Sequence, residues 1–442
     1  MKRTLFCLPF FLLTSLHAAH PWPQFRGPGG DGIAAAEEVP TVFGETEALK
    51  WKTAIPGRGW SSPVFDGEFL WLTSAVEVFP SEEERTRLLK ASGEEERTFP
   101  ELQVATRIEL SAFAIEYETG RIAKTIPLTT IDQPQTVHTL NSFASPTPVL
   151  DGGTLFAHFG TFGTFAIDLA TGRILWQRRI DLVHGVGPGS SPFVHGGLLF
   201  LICDGIDRQF VTALDLRTGE TAWITERPAM RAPKGHQKKS FNTPVLVTGP
   251  DGKEQLLCMG AQWLVSYEPT TGKEIWRLDH GDGFSVVPRP VYSADTGLLY
   301  LSTGYGKPSL LAVRIDGKGE VSASDKVAWR EPKRIPSRPS PLLVGDELYL
   351  IADGGIASCL DARTGKMHWT ERIDGNYSAS PLFADGKIYF ASQEGLVTVV
   401  KPGRTFAVLA RNTLEDTLMA SPIALDRSLI LRTGSSLYRF GP

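Results

Sequence analysis

Residues 165–176 read FAIDLATGRILW. An alternating apolar run ends in a turn carrying Asp168, Thr171 and Gly172, and a second short strand closes on Trp176. Taken alone this is one β-hairpin, because period-two alternation bounded by a Thr-Gly turn suits paired strands. Recurrence gives it weight. FAIEYETGRI (113–122), TALDLRTGETAW (212–223), VSYEPTTGKEIW (265–276) and SCLDARTGKMHW (358–369) share its order of strand, turn and strand. A unit that returns at such intervals is the signature of a repeat architecture.

Working outward, Ser-Pro or a near variant introduces a short apolar strand eight times, from SSPVFDGEFLWL (61–72) to ASPIALDRSLILR (420–432). The prolines are 63, 146, 192, 244, 290, 341, 381 and 422. Each first strand ends in a turn such as DG, GG or GD, which returns the chain as a second strand. The hairpin tail supplies the third and fourth. Four strands in ~40–45 residues is the unit of a β-propeller blade. Trp176, Trp223, Trp276, Trp329 and Trp369 fall at the fourth strand of five units. The last unit stops after three strands, and ALKWKTAI (48–55) places Trp51 where its fourth belongs. A ring closed by pairing the two chain ends leaves no open seam. The expected fold is therefore an all-β, eight-bladed propeller of four-stranded antiparallel blades, with the N-terminal strand completing the C-terminal blade.

The A-x-D-x-x-T-G-x-x-x-W tail resembles the repeat of quinoprotein-type propellers, named after pyrroloquinoline quinone (PQQ). The resemblance covers residues 49–442 and implies that each tryptophan docks against the neighbouring blade. HTLNSFASPTPVLDGGTLFAHFGTFGT (138–164) and LIADGGIASCLDARTGKMHW (350–369), with WPQFRGPGGDG (22–32) in front, are similar to exported bacterial propellers called PQQ-binding-like. Two branches share such repeats: cofactor-using dehydrogenases, and cofactor-free scaffolds such as BamB. The dehydrogenase branch implies a vicinal disulfide over one face of the quinone, a tryptophan over the other, and calcium held by carboxylate and amide oxygens. This chain has no adjacent cysteines and no D-x-D-x-D-G loop, and DHGDG (279–283) is short of carboxylates. A C-x-x-C-H haem site is also missing. The expectation is no cofactor, no metal and no catalytic residue. A PQQ- and calcium-dependent oxidoreductase acting on alcohols or sugars is the alternative.

The chain begins with Lys2 and Arg3, an apolar run from Leu5 to Leu16, and small residues Ala18 and Ala19. That pattern reads as a signal peptide over residues 1–19, hence a periplasmic or extracellular protein. Residues 20–48 read as an irregular clasp, with Trp22 and Phe25 as apolar anchors and Arg26 as a tie. Residues 79–103 read as a charged, partly helical insertion in the first blade, opened by Ser81 as a cap. A net charge of −4 gives no reason for a nucleic-acid partner. No later run is long and apolar enough for a membrane span. Cys203, Cys258 and Cys359 each sit in an apolar strand and read as buried hydrophobes.

WPQFRGPGGDG, GVGPGSS (185–191) and GYGKPS (304–309) lack the strand-to-helix context that a phosphate-binding loop needs. The anchor serines read as turn chemistry at strand starts. One constellation remains. Residues just before each anchor proline approach a common central opening, and there the chain places Arg58, Trp60, His138, Asn141, Lys238, Lys239, Arg289, Arg334, Arg338, Asn376 and Tyr377, with His158 in reach. Cations gathered at one funnel would attract a small anionic ligand, a glycan or an acidic peptide. The expected protein is a non-catalytic binding or scaffold module, a monomeric ring with that funnel as its site.

Overall fold

Each anchor proline is followed at once by a short strand, and the chain then meanders outward through three more before the next anchor begins. A computed structural model describes residues 21–93, 96–321 and 323–442. The signal-peptide reading of residues 1–19 lies outside these. Blade 1 comprises Val64–Phe65, Phe69–Val78, Arg107–Glu116 and Ile122–Asp132; blade 2 comprises Val149–Asp151, Thr154–His158, Thr164–Asp168 and Ile174–Arg178. Blades 3 to 7 open at Phe193, Val245, Val291, Leu342 and Leu382 in the same order. Blade 8 takes Ile423–Leu425, Ser428–Arg432 and Ser436–Phe440, and then Leu49–Ala54 from the start of the chain, with Thr53 opposite Leu437. The fold is an eight-bladed β-propeller closed by its own N-terminal strand.

The repeat tail is half of a joint between blades. Asp215 accepts from the Thr218 N–H at 2.9 Å and from its hydroxyl at 3.1 Å, and the Gly219 N–H returns to the Asp215 carbonyl. Asp168 and Asp361 build the same turn. Gly219 lies flat against Trp176 of the preceding blade, whose indole N–H donates to the Leu216 carbonyl at 2.8 Å. The joint recurs from Trp51 to Tyr117, Trp223 to Pro269 and Trp329 to Ala362. Trp369 reaches the Gly403 carbonyl of blade 7. Each indole fills a wedge that two diverging twisted sheets would leave open.

Two features depart from the regular repeat. Blade 4 carries a fifth, parallel strand, Gly319–Val321, contributed by an insertion in blade 5. Gly317 of that insertion covers Trp276, so Trp276 turns its N–H to Gln255 in its own blade at 2.8 Å. The anchor of blade 2 is Thr147-Pro148, two residues beyond the expected Pro146, since its strand begins at Val149.

The anchor hydroxyls are also more than strand-start turns. The Ser62 N–H donates to Thr147 Oγ1 (2.9 Å), Thr147 N–H to Ser191 Oγ (3.0 Å), Arg289 N–H to Ser340 Oγ (3.0 Å), Ser340 N–H to Ser380 Oγ (3.0 Å) and Ser380 N–H to Ser421 Oγ (2.9 Å). Five of the eight blade junctions are thus stapled at the axis, which satisfies an N–H that no ladder reaches.

Candidate binding funnel

The inner strands surround a central space that is shut at one end. Residues 22–33 cross the ring at the far end of those strands. Trp22 pairs with Phe65 of blade 1, and the Leu150 N–H of blade 2 donates to the Pro23 carbonyl. The Phe383 N–H of blade 7 donates to the Gly32 carbonyl, and the Glu37 N–H reaches Asp426 of blade 8. Two buried arginines fasten the middle. Arg26 donates to the Pro341 carbonyl at 2.8 Å, and Arg289 donates to the carbonyls of Phe25 (2.8 Å) and Pro244 (3.0 Å). Burial lowers Arg26 to about 9 and Arg289 to about 10, with Asp31 opposing the shift. A side chain at Gly30 would collide with the Arg289 guanidinium, so the glycine-rich run allows close approach to that cation.

With this floor in place the funnel is a blind cavity of about 520 Å³, within the range of small-ligand sites. Phe25 forms the floor, and Thr147, Ser191 and Ser421 are among the hydroxyls around it. Trp60, Phe241, Phe284, Tyr305 and Arg338 are also in the lining. The blade 1 insertion completes the rim. Its helix Glu82–Ala91, capped by Ser81, buries Leu89 against Leu102 and Val104, and Glu101 then faces the cavity.

Of the twelve residues expected at the funnel, four line it: Trp60, His138, Asn141 and Arg338. His138 Nδ1 accepts the Leu140 N–H at 3.0 Å, and its Nε2 lies 3.6 Å from Glu101. The Asn141 amide is fully used, donating to Val186 and Pro188 and accepting from Ser142 and Ser145. Arg338 pairs through Nε with Asp353 at 3.1 Å.

The other eight stand elsewhere, Arg334 exposed in the loop ahead of the blade 6 anchor. Arg58 is tied to Glu77 at 3.2 Å and to Gln103, and lies over the Trp60 ring. Arg289 is under the floor. Lys238 sits in a short turn, Gly235–Lys238, away from the lining, while its neighbour Lys239 is buried against the His184 carbonyl and the Phe241 ring. His158 is buried in blade 2, bonded to Thr164 at 2.8 Å, and burial lowers it to about 4. Asn376 binds Glu394, and Tyr377 donates to the Asp374 carbonyl. The expected gathering of cations is therefore corrected: among the described residues Arg338 is the one Arg or Lys of the lining, and it is paired. Sequence spacing found the loops but could not tell which charges were already partnered. It also treated the anchor hydroxyls as turn chemistry, although their recurrence in seven of the eight units marks the inner wall.

The profile of the PQQ-type propeller family described as outer membrane protein assembly factor BamB matches residues 82–225, 116–319 and 260–405. The chain belongs to this family. Among solved structures of the same fold, BamB from Moraxella catarrhalis aligns over 77% of this chain and 99% of its own, at 13% identity and TM-score 0.53. A europium-containing methanol dehydrogenase aligns over 96% and 98%, at 12% identity and TM-score 0.53. In sequence, the dehydrogenase subunit of a quinone alcohol dehydrogenase from Gluconobacter oxydans is 28% identical over 177 residues, 37% of this chain. The match spans about a fifth of that relative's length (21%). BamB and quinone or methanol dehydrogenases thus both stand among the proteins this chain resembles. Among the described residues no group of three or more His, Cys, Asp or Glu is placed to hold a metal ion, and no helix is long and apolar enough to cross a membrane.

Proposed function

We propose that the protein is an exported, non-catalytic binding propeller that holds its ligand in the blind funnel. The observation that supports this reading is the closed floor: the segment 22–33 turns an open axial channel into a pocket of ligand size with aromatic walls and hydroxyls. Export rests on the apolar N-terminal run, and a single closed ring suits a monomer. A small polar molecule, a glycan or a peptide end would enter from the mouth.

A quinone-dependent oxidoreductase is the second reading, favoured by the sequence match to the quinone alcohol dehydrogenase. The funnel residues do not fit that cofactor and its calcium. Among the described residues Glu101 is the single carboxylate in the lining, and Asn141 has no amide atom to spare. Cys203, Cys258 and Cys359 are buried in separate blades, so none can form a vicinal pair.

Native mass spectrometry of the protein isolated from its own compartment tests the first reading. Met419 is one of the lining residues; a bound mass should be present in the wild type and lost or reduced in Met419→Trp, which puts a larger side chain into the cavity. Full retention of that mass by the variant would place the site elsewhere. Adding PQQ and calcium should produce neither a thermal shift nor dye reduction with alcohols or sugars; turnover would overturn the non-catalytic reading.

A further inference from the structure

The chemistry of the lining narrows the ligand class, an inference that rests on the funnel being the ligand site. Arg338 and Asp353 together are neutral, and Glu101 adds a negative charge at the rim. A carboxylate or sulfate entering here would shed water without meeting an uncompensated cation, which is costly in a half-enclosed site. The lining offers uncharged donors instead. Thr147, Ser191 and Ser421 each accept one backbone N–H, so the hydrogen of each hydroxyl remains to donate. Arg338 Nη1 has no protein partner. Each of the three hydroxyl oxygens also keeps a second lone pair, and Ser62 Oγ has no partner among the described residues, so the lining can accept from a ligand hydroxyl as well as donate to it.

Aromatic faces complete the picture. Trp60 comes from blade 1, and Phe284 with Tyr305 from blade 5, which is half a turn away in an eight-membered ring; Phe25 lies across the floor. We propose that the funnel receives the end of a neutral saccharide chain. Its C–H faces lie against Trp60 and Phe284, and its hydroxyl and ring oxygens accept from the floor hydroxyls and Arg338. Hydroxyls that both donate and accept, on an uncharged, flat-faced ring, match a hydroxyl-lined, aromatic pocket with no uncompensated cation.

Calorimetric titration of the whole protein with maltotriose, cellotriose and chitotriose, beside trigalacturonate and triglutamate, tests this at low and high salt. At least one neutral trisaccharide should bind saturably, with an affinity changed less than about twofold by salt. Trp60→Ala should weaken it about tenfold or more, and Met419→Trp should reduce or abolish it, while thermal melts verify that both variants fold. Binding only by trigalacturonate or triglutamate, weakened by salt, overturns the saccharide inference and leaves the funnel as the site. Neutral binding unaltered in both variants overturns the funnel reading as well. Absence of saturable binding by all three neutral sugars overturns the saccharide inference alone.

Discussion

At Gly219 the backbone has φ +70°, and a Cβ there would stand 2.6 Å from the Trp176 ring. Left-handed geometry and the contact act together, so Gly219→Ala should lower stability by about 2–4 kcal/mol. Urea unfolding measures this, and a variant within experimental error of the wild type would show that the joint does not depend on the flat seat. Histidines set a second residue-scale expectation. Burial holds His158 and His280 down at about 4, so both are neutral in the fold across the neutral range. The unfolded chain binds protons near the ordinary histidine value of 6.5, and between those limits it carries more protons than the folded one. The stability these residues contribute is therefore complete above about 6.5 and lost as pH falls toward about 4. Unfolding midpoints should drop through that window, and His158→Gln should flatten the decline.

At the scale of elements, the anchors matter as contacts between strands of different blades. Ser380 Oγ accepts the Ser340 N–H and donates to Ser340 Oγ at 3.0 Å. Ser380→Ala leaves that N–H buried and unpaired, which should cost about 1–3 kcal/mol; Ser380→Thr, which keeps the hydroxyl, should recover most of the melting temperature. Equal losses in both variants would point to packing instead. The same element explains Arg289. It occupies an anchor position, and the missing hydroxyl is offset by a guanidinium that reaches the carbonyls of Phe25 and Pro244. A charge in a loop before an anchor thus reads as a rim cation, yet here it is a structural tie beneath the floor.

For the whole molecule, the segment 22–33 connects blades on opposite sides of the ring and closes the funnel. Arg26→Ala removes a buried guanidinium that bonds the Pro341 and Asp31 carbonyls, and should cost about 3–5 kcal/mol, since hydrogen bonds of charged groups contribute about 1.5–3 kcal/mol each. Calorimetric unfolding checks the loss; a melting temperature within a degree of the wild type would mean the crossing segment carries no load. The blade number, the four-stranded unit, the place of the indoles and the closure by Leu49–Ala54 were legible in sequence, because each arises from local periodicity and turn chemistry that repeats every blade. The glycine-rich WPQFRGPGGDG was legible only as a turning segment without phosphate chemistry. Its role as a floor required the positions of blades 1, 2, 5, 6, 7 and 8 around it. The same limit applies to the funnel: Trp60, His138, Asn141 and Arg338 meet there, while Arg58, His158, Lys238, Arg289, Asn376 and Tyr377 do not. Repeats are local and additive, so sequence alone determined the ring. Which side chains face a shared cavity, and which charges are already paired, depends on contacts hundreds of residues apart, and only the tertiary structure decided those.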